Sequence, residues 1–128
     1  MGEQRLELDV TPDNYAREIA PARTFGFEYE LDQMRDMGLI RGASLENAVC
    51  FTRDSVANPG GLRFPDECCR HKALDLIGDL ALIGRPLLGC VVAQRAGHAM
   101  HVALVKKLMS DDSFYEIVTL SRTSGAVA

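Results

Sequence analysis

One histidine and two aspartates follow one another at four-residue steps: His71, Asp75 and Asp79. On an α-helix, residues four apart lie on neighbouring turns of one face, so these side chains form a polar stripe. A histidine and an aspartate on successive turns offer one nitrogen and one oxygen donor, which can hold a divalent metal ion without distorting the helix. The alternative interpretation is a hydrogen-bonded pair at the surface, because both residue types are usually exposed.

Other polar residues could take part in chemistry beside this stripe. His98 opens a second predicted helix, and if the two helices pack together, Asp79 would orient and charge-stabilise its imidazole. Taken alone, His98 could equally cap its helix. Lys72 could reach a ligand phosphate as a point charge, or remain a solvated lysine. His101 lies one turn beyond His98 on the same face, and we expect it at the surface.

The composition indicates one ordinary globular domain. The chain has 128 residues, of which 47% are hydrophobic and 25% charged. Its net charge of -4 gives no reason to expect a nucleic-acid partner, because phosphates require a basic face. We find no run of about 18 apolar residues and no signal-like segment, so we expect no transmembrane segment and a cytoplasmic location. The four cysteines show no CxxC spacing, which favours reduced, mostly buried thiols.

Helices are predicted from caps and composition. Thr11, Pro12 and Asp13 are typical of an N-cap, a first helical position and a first-turn acid, so a short helix should follow and end near Pro21. Gly38 is a C-cap for a preceding helix. The further predicted helices cover residues 31–37, 66–83 and 97–109.

Strands are predicted from alternation and from apolar runs. Residues 5–10 alternate polar and apolar side chains, which is the period of a half-buried strand. Apolar runs predict strands within residues 48–51, 87–94 and 114–120. The segment 22–30 is either a strand or a tight loop. The predicted fold class is α+β: an antiparallel or mixed sheet with two principal helices packed on one face.

Blocks of sequence in a fixed order carry a family resemblance. They are ARTFGF at 22–27, GGLRF at 60–64, HKALDLIGDLALIG at 71–84 and GHA at 97–99. These blocks resemble the UDP-3-O-acyl-N-acetylglucosamine deacetylase family, the zinc amidases of lipid A biosynthesis, and the likeness runs from about residue 6 to residue 120. The family has two similar α+β domains with the active site between them, and this chain resembles most of the second. The resemblance implies one domain over residues 1–120 and a tail over residues 121–128.

The resemblance also implies a role for each matched site residue. His71 and Asp75 would be zinc ligands. His98 would be the general acid with Asp79 beside it, and Thr24 would help to stabilise the tetrahedral oxyanion.

Substrate contacts are implied in the same way. Residues 28–50 resemble an insert that forms a passage for the acyl chain. The implied substrate-binding residues are Lys72, near the nucleotide phosphates, and Phe25, Gly26, Leu31, Ile40 and Ser44. The apolar wall of the passage would come from Leu31, Met34, Leu39, Ile40, Leu45 and Val49, which could equally be ordinary core residues.

The implied function is zinc-dependent deacetylation of UDP-3-O-acyl-N-acetylglucosamine, with this chain supplying the C-terminal half of the site. The family's third zinc ligand, a histidine, and its general-base glutamate come from a motif that this sequence does not contain. A partner chain or the missing first domain would therefore have to supply them. Two alternatives stay open: an inactive truncated homologue, and a module that binds the acyl chain or UDP-sugar and needs a partner carrying the first domain.

Overall fold

The computed structural model describes residues 2–38, 40, 42 and 44–119. Leu39, the end of the last predicted strand at Leu120 and the predicted tail 121–128 lie outside the described residues. The chain divides into two compact units, Met1–Gly78 and Asp79–Ala128. Helices and a small sheet both occur, which confirms the α+β class.

The first unit begins with the predicted capped turn. Helix α1 covers Pro12–Asn14, and the Thr11 side chain accepts a hydrogen bond from the Asn14 backbone N–H. The chain continues as a wider π-helical turn over Tyr15–Ile19, which places Ile19 in the core with no exposed surface. The helix predicted from the cap residues is therefore present.

A parallel pair of strands forms the sheet of this unit, so the predicted antiparallel or mixed arrangement is wrong for the described residues. Strand β1 covers Thr24–Phe27 and strand β2 covers Ala48–Phe51, with Thr24 opposite Ala48 and Phe27 opposite Phe51. Helix α2, Glu28–Asp36, follows β1 directly. The segment that the sequence left open between strand and loop is thus a strand, and Val49 of β2 is fully buried.

Both long predicted helices are present. Helix α3 covers Glu67–Leu80 and continues as a 3₁₀ turn over Ala81–Ile83, which Gly84 ends in the left-handed conformation at φ 74°. In the second unit, helix α4 covers His98–Leu108. No helix within the described ranges is long and apolar enough to cross a membrane.

The strands predicted at 5–10, 87–94 and 114–120 are wrong as far as the described residues extend, because these segments form no sheet. A strand needs a second strand beside it to pair with its backbone N–H and C=O groups. Alternating polar and apolar side chains do not show whether such a strand is present. Several apolar residues of the second unit consequently remain exposed: Leu87, Leu88, Val92, Ile117 and Val118.

The cysteines agree with the prediction of reduced, mostly buried thiols. Cys50 and Cys68 are buried, Cys69 is half-buried and Cys90 is exposed, and none forms a disulfide. Burial raises the pKa of Cys68 to about 11, and the neighbouring Glu67 carboxylate adds to that shift. A thiol with such a pKa is a poor nucleophile at neutral pH. Cys68 therefore belongs to the core of the first unit.

Candidate functional site

The His71 ring is held by a hydrogen bond at Nδ1, and its Nε2 faces Asp75. Its Nδ1 lies 3.1 Å from the backbone carbonyl oxygen of Ala22, and its Nε2 lies 3.5 Å from Oδ1 of Asp75, one turn further along α3. A carbonyl only accepts hydrogen bonds, so Nδ1 carries a proton, and in the neutral ring Nε2 then carries the lone pair. Metal-binding histidines are commonly fixed in this way, with the second nitrogen donating to a backbone carbonyl.

The separation of the two donor atoms fits one metal ion. Zinc bonds to nitrogen and oxygen of about 2.0–2.2 Å, at tetrahedral angles, place neighbouring ligand atoms about 3.4 Å apart. The observed distance between His71 Nε2 and Asp75 Oδ1 is 3.5 Å. Lys72 lies 3.4 Å from the other carboxylate oxygen, Oδ2. We call His71 and Asp75 the His71 pair, and its donor set suits zinc with positions left for further ligands.

A buried ion pair between Glu67 and Arg23 fixes the backbone beside Ala22, whose carbonyl contacts His71. The Glu67 side chain has no exposed surface and accepts three hydrogen bonds from Arg23, one from the backbone N–H and two from the guanidinium, at 2.9–3.1 Å. The backbone N–H of Arg63 donates a fourth, at 2.7 Å. Burial alone would raise the pKa of Glu67, but these hydrogen bonds outweigh it and lower the pKa. The ion pair therefore joins the start of α3 to the residue that follows Ala22.

An open cavity of about 350 Å³ lies on the same unit. Thr24 and His71 both line it, together with Asn47 and Arg63. The Arg63 guanidinium donates to the backbone carbonyls of Pro21 and Glu46, at 2.7 and 3.2 Å, so it is fixed at the cavity wall. Two residues that the family resemblance selected, a hydroxyl and an imidazole, thus face one cavity.

The other predicted substrate residues have structural contacts. Phe25 packs edge-on against the His71 ring, with centroids 6.3 Å apart. A Cβ at Gly26 would lie 3.1 Å from the Leu31 side chain, so glycine allows Leu31 to pack against β1. Ile40 is half-buried with a positive φ of 49°.

Ser44 forms the turn before β2. Its backbone N–H donates to Asn47 Oδ1 at 2.8 Å, and its hydroxyl accepts from the Glu46 N–H at 3.3 Å. These bonds fix the turn that carries Asn47 to the cavity wall. Binding of substrate by Ser44 stays a prediction.

The second unit contains a different polar group, the Asp79 cluster, made of Asp79, His98 and His101. Nδ1 of His98 lies 2.7 Å and Nδ1 of His101 lies 2.8 Å from the same Asp79 oxygen, Oδ2. Hydrogen bonding to His98, and then to His101, lowers the pKa of Asp79. The predicted contact between Asp79 and His98 is therefore present.

His101 corrects one of our expectations. Its side chain is 4% exposed, whereas that of His98 is 65% exposed. The expectation of a surface residue is wrong because His101 lies three residues after His98 on α4 and turns onto Asp79. The three-residue spacing was the available signal, since residues i and i+3 of a helix are neighbours.

The donor atoms of the Asp79 cluster lie within 4.8 Å of one another, so the group could also hold a metal ion. Its distances differ from those of the His71 pair. Both nitrogens approach one oxygen at hydrogen-bond distance, which is shorter than the separation of about 3.4 Å between two ligands of tetrahedral zinc. The geometry is that of two imidazoles hydrogen-bonded to one carboxylate.

Comparison with known proteins gives a consistent result. A family model described as LpxC, UDP-3-O-acyl N-acetylglycosamine deacetylase, matches residues 1–110. A protein of Solibacter usitatus named UDP-3-O-acyl-N-acetylglucosamine deacetylase is 68% identical over 99% of this chain and 43% of its own length. Proteins with the same name from Myxococcus xanthus and Anaeromyxobacter dehalogenans are 52% and 46% identical, over 93% and 98% of this chain and 38% and 41% of their own lengths. The chain thus spans about two fifths of these relatives.

Proposed function

The chain belongs to the UDP-3-O-acyl N-acetylglycosamine deacetylase family, and from this premise we propose that it contributes two zinc ligands and a proton-donating imidazole to the hydrolysis of UDP-3-O-acyl-N-acetylglucosamine. The observation that carries the proposal is the fixed His71 ring, with Nδ1 on a backbone carbonyl and Nε2 3.5 Å from Asp75. On the family resemblance, the reaction takes place in the cytoplasm.

The metal would be held by His71 Nε2 and Asp75 Oδ1. When bound, zinc supplies a Lewis acid that lowers the pKa of water and polarises an amide carbonyl. The Ala22 carbonyl keeps the His71 lone pair on Nε2. Lys72 interacts with Asp75 Oδ2 and adds positive charge suited to the nucleotide phosphates of the substrate.

Other residues of the chain act on the substrate itself. Thr24 lines the cavity that His71 lines, so its hydroxyl can donate to the oxyanion that develops on the amide carbonyl. Asp79 accepts the Nδ1–H of His98, which makes Nε2 the atom that exchanges a proton. Protonated His98 donates that proton to the leaving amine, and acetate and a free-amine UDP-sugar result.

Two further groups are assigned to a segment outside this chain. A catalytic zinc commonly has three protein ligands, and the His71 pair supplies two. The third ligand and the general base would come from a first domain or a partner chain that carries it. The isolated chain should consequently bind zinc weakly and release no acetate.

Zinc binding tests the metal assignment in this chain alone. Equilibrium dialysis against buffered zinc measures the affinity of the wild type and of His71→Ala and Asp75→Asn. Each variant should bind roughly 10-fold more weakly or worse, because each loses one of two ligands. Asp54→Asn makes the same change at an exposed aspartate and should bind as the wild type does.

A variant of the Asp79 cluster separates the two candidate metal groups. His98→Ala should leave the zinc affinity within about twofold of the wild type, since His98 is assigned to proton transfer. Loss of zinc in His98→Ala, with binding kept in His71→Ala, would place the metal on the Asp79 cluster and refute the assignment.

A further inference from the structure

His101 has no role in the proposed function, yet it makes one of the two histidine hydrogen bonds to Asp79 Oδ2. Its Nδ1 lies 2.8 Å from that oxygen, and the Nδ1 of His98 lies 2.7 Å from it. The two rings meet edge to face, with centroids 6.1 Å apart. The carboxylate therefore has one exposed imidazole partner and one buried imidazole partner.

The hydrogen bonds to Asp79 determine which ring nitrogens of His98 and His101 carry protons. An ionised carboxylate only accepts hydrogen bonds, so each Nδ1 that bonds to Oδ2 must carry a proton. In their neutral forms both histidines are then the Nδ1–H tautomer. The lowered pKa of Asp79 keeps the carboxylate ionised and able to accept both hydrogen bonds at neutral pH.

The difference in exposure separates what the two imidazoles can do. Water competes for the hydrogen bond of His98, whose side chain is 65% exposed, and is excluded from that of His101, which is 4% exposed. The terminal torsion of an aspartate has a broad preference, so its carboxylate can rotate unless a partner fixes it. His101 supplies such a partner from the buried side.

We propose that His101 is a positioning residue, which fixes Oδ2 of Asp79 so that the carboxylate holds His98 in its Nδ1–H tautomer. The inference rests on the proposed function in one respect: the tautomer of His98 matters for catalysis only if His98 Nε2 donates a proton. The hydrogen-bond arrangement itself belongs to the chain as it stands. It can therefore be tested without turnover.

The experiment compares three substitutions of His101 that differ in where they place a donor. His101→Asn puts an amide N–H near the position of the Nδ1–H, so it can still donate to Asp79. His101→Gln carries the same amide one carbon further out, and His101→Leu has no donor. Chelator-treated full chain labelled with ¹⁵N is studied by long-range proton–nitrogen NMR at a pH where His98 is neutral.

The wild type and His101→Asn should show His98 mainly as the Nδ1–H tautomer. His101→Gln and His101→Leu should shift His98 by at least several-fold toward the Nε2–H tautomer. Equal tautomer populations in all folded variants, or an Asn variant that behaves like the Leu variant, would overturn the proposal. If the Leu variant fails to fold, the Asn and Gln pair decides the result.

Acetate release, measured after a first domain has been added, keeps the two proposals apart. A tautomer shift in His101→Gln with unchanged release supports the positioning role and shows that release does not depend on the tautomer of neutral His98; His98→Ala tests proton donation itself, because the imidazolium carries a proton on both nitrogens. A tautomer shift with a lower kcat and an unchanged KM supports both.

Discussion

Replacement of Glu67 by glutamine should destabilise the first unit by about 3–5 kcal/mol, the cost of breaking a buried ion pair on one side. Each Glu67 oxygen accepts two donors: Oε1 accepts the backbone N–H and Nε of Arg23, and Oε2 accepts Nη2 of Arg23 and the backbone N–H of Arg63. In either orientation of the new amide, its NH₂ group faces two donors. At about 1–3 kcal/mol for each unsatisfied donor, the loss is about 2–6 kcal/mol, which agrees with the first figure.

Urea unfolding followed by far-UV circular dichroism measures this free energy of unfolding. Glu7→Gln is the matched control, because Glu7 pairs with Arg5 at the surface, where both side chains are about nine-tenths exposed. The control should change stability by less than about 0.5 kcal/mol. A Glu67→Gln chain within about 1 kcal/mol of the wild type would refute the view that this ion pair anchors the backbone around Ala22.

Three further outcomes follow from individual residues. Folding lowers the pKa of Glu67 from 4.5, so the ionised carboxylate stabilises the folded chain fully above pH 4.5 and loses this effect as the pH falls through the lowered pKa. The free energy of unfolding of Glu67→Gln, measured over the same acid range, should lack this loss. The same pH dependence in the wild type and the variant would contradict the prediction. Thr11→Ala removes the side-chain hydrogen bond to the Asn14 N–H and should lower the free energy of unfolding in urea by about 1 kcal/mol. An unchanged free energy of unfolding would mean that the cap does not stabilise the chain. Gly84→Ala should lower the free energy of unfolding by about 1–2 kcal/mol, because φ is 74° and a side chain is strained there even though no atom lies near enough to clash. Gly89→Ala, at an equally open position without a positive φ, should lower it less. Equal losses would argue against backbone strain at Gly84.

The helices could be predicted because their signals are local. The Thr11 cap lies directly before its helix, and the composition that predicts helices over 66–83 and 97–109 lies within those helices. Among the strands, the one predicted within residues 48–51 is present as β2, but those predicted at 5–10, 87–94 and 114–120 are absent from the described part of the chain, since pairing depends on a second segment. Residues 87–94 have the composition of a strand, but no described segment pairs with them.

The site shows the same division between local and long-range information. The spacing of His71 and Asp75 follows from helix geometry and is visible in the sequence. The Ala22 carbonyl that fixes the His71 ring lies 49 residues away, and the Arg23 partner of Glu67 lies 44 residues away. Such contacts arise only from the packed fold.

Acetate release from UDP-3-O-acyl-N-acetylglucosamine tests the central claim most directly. The chain is assayed with zinc, alone and together with the part of the Solibacter usitatus relative that it does not match. We expect no release by the chain alone, release by the mixture, and at least a roughly 100-fold lower rate with His98→Ala. A mixture that binds the substrate without releasing acetate, or one that is unaffected by His98→Ala, would contradict the account.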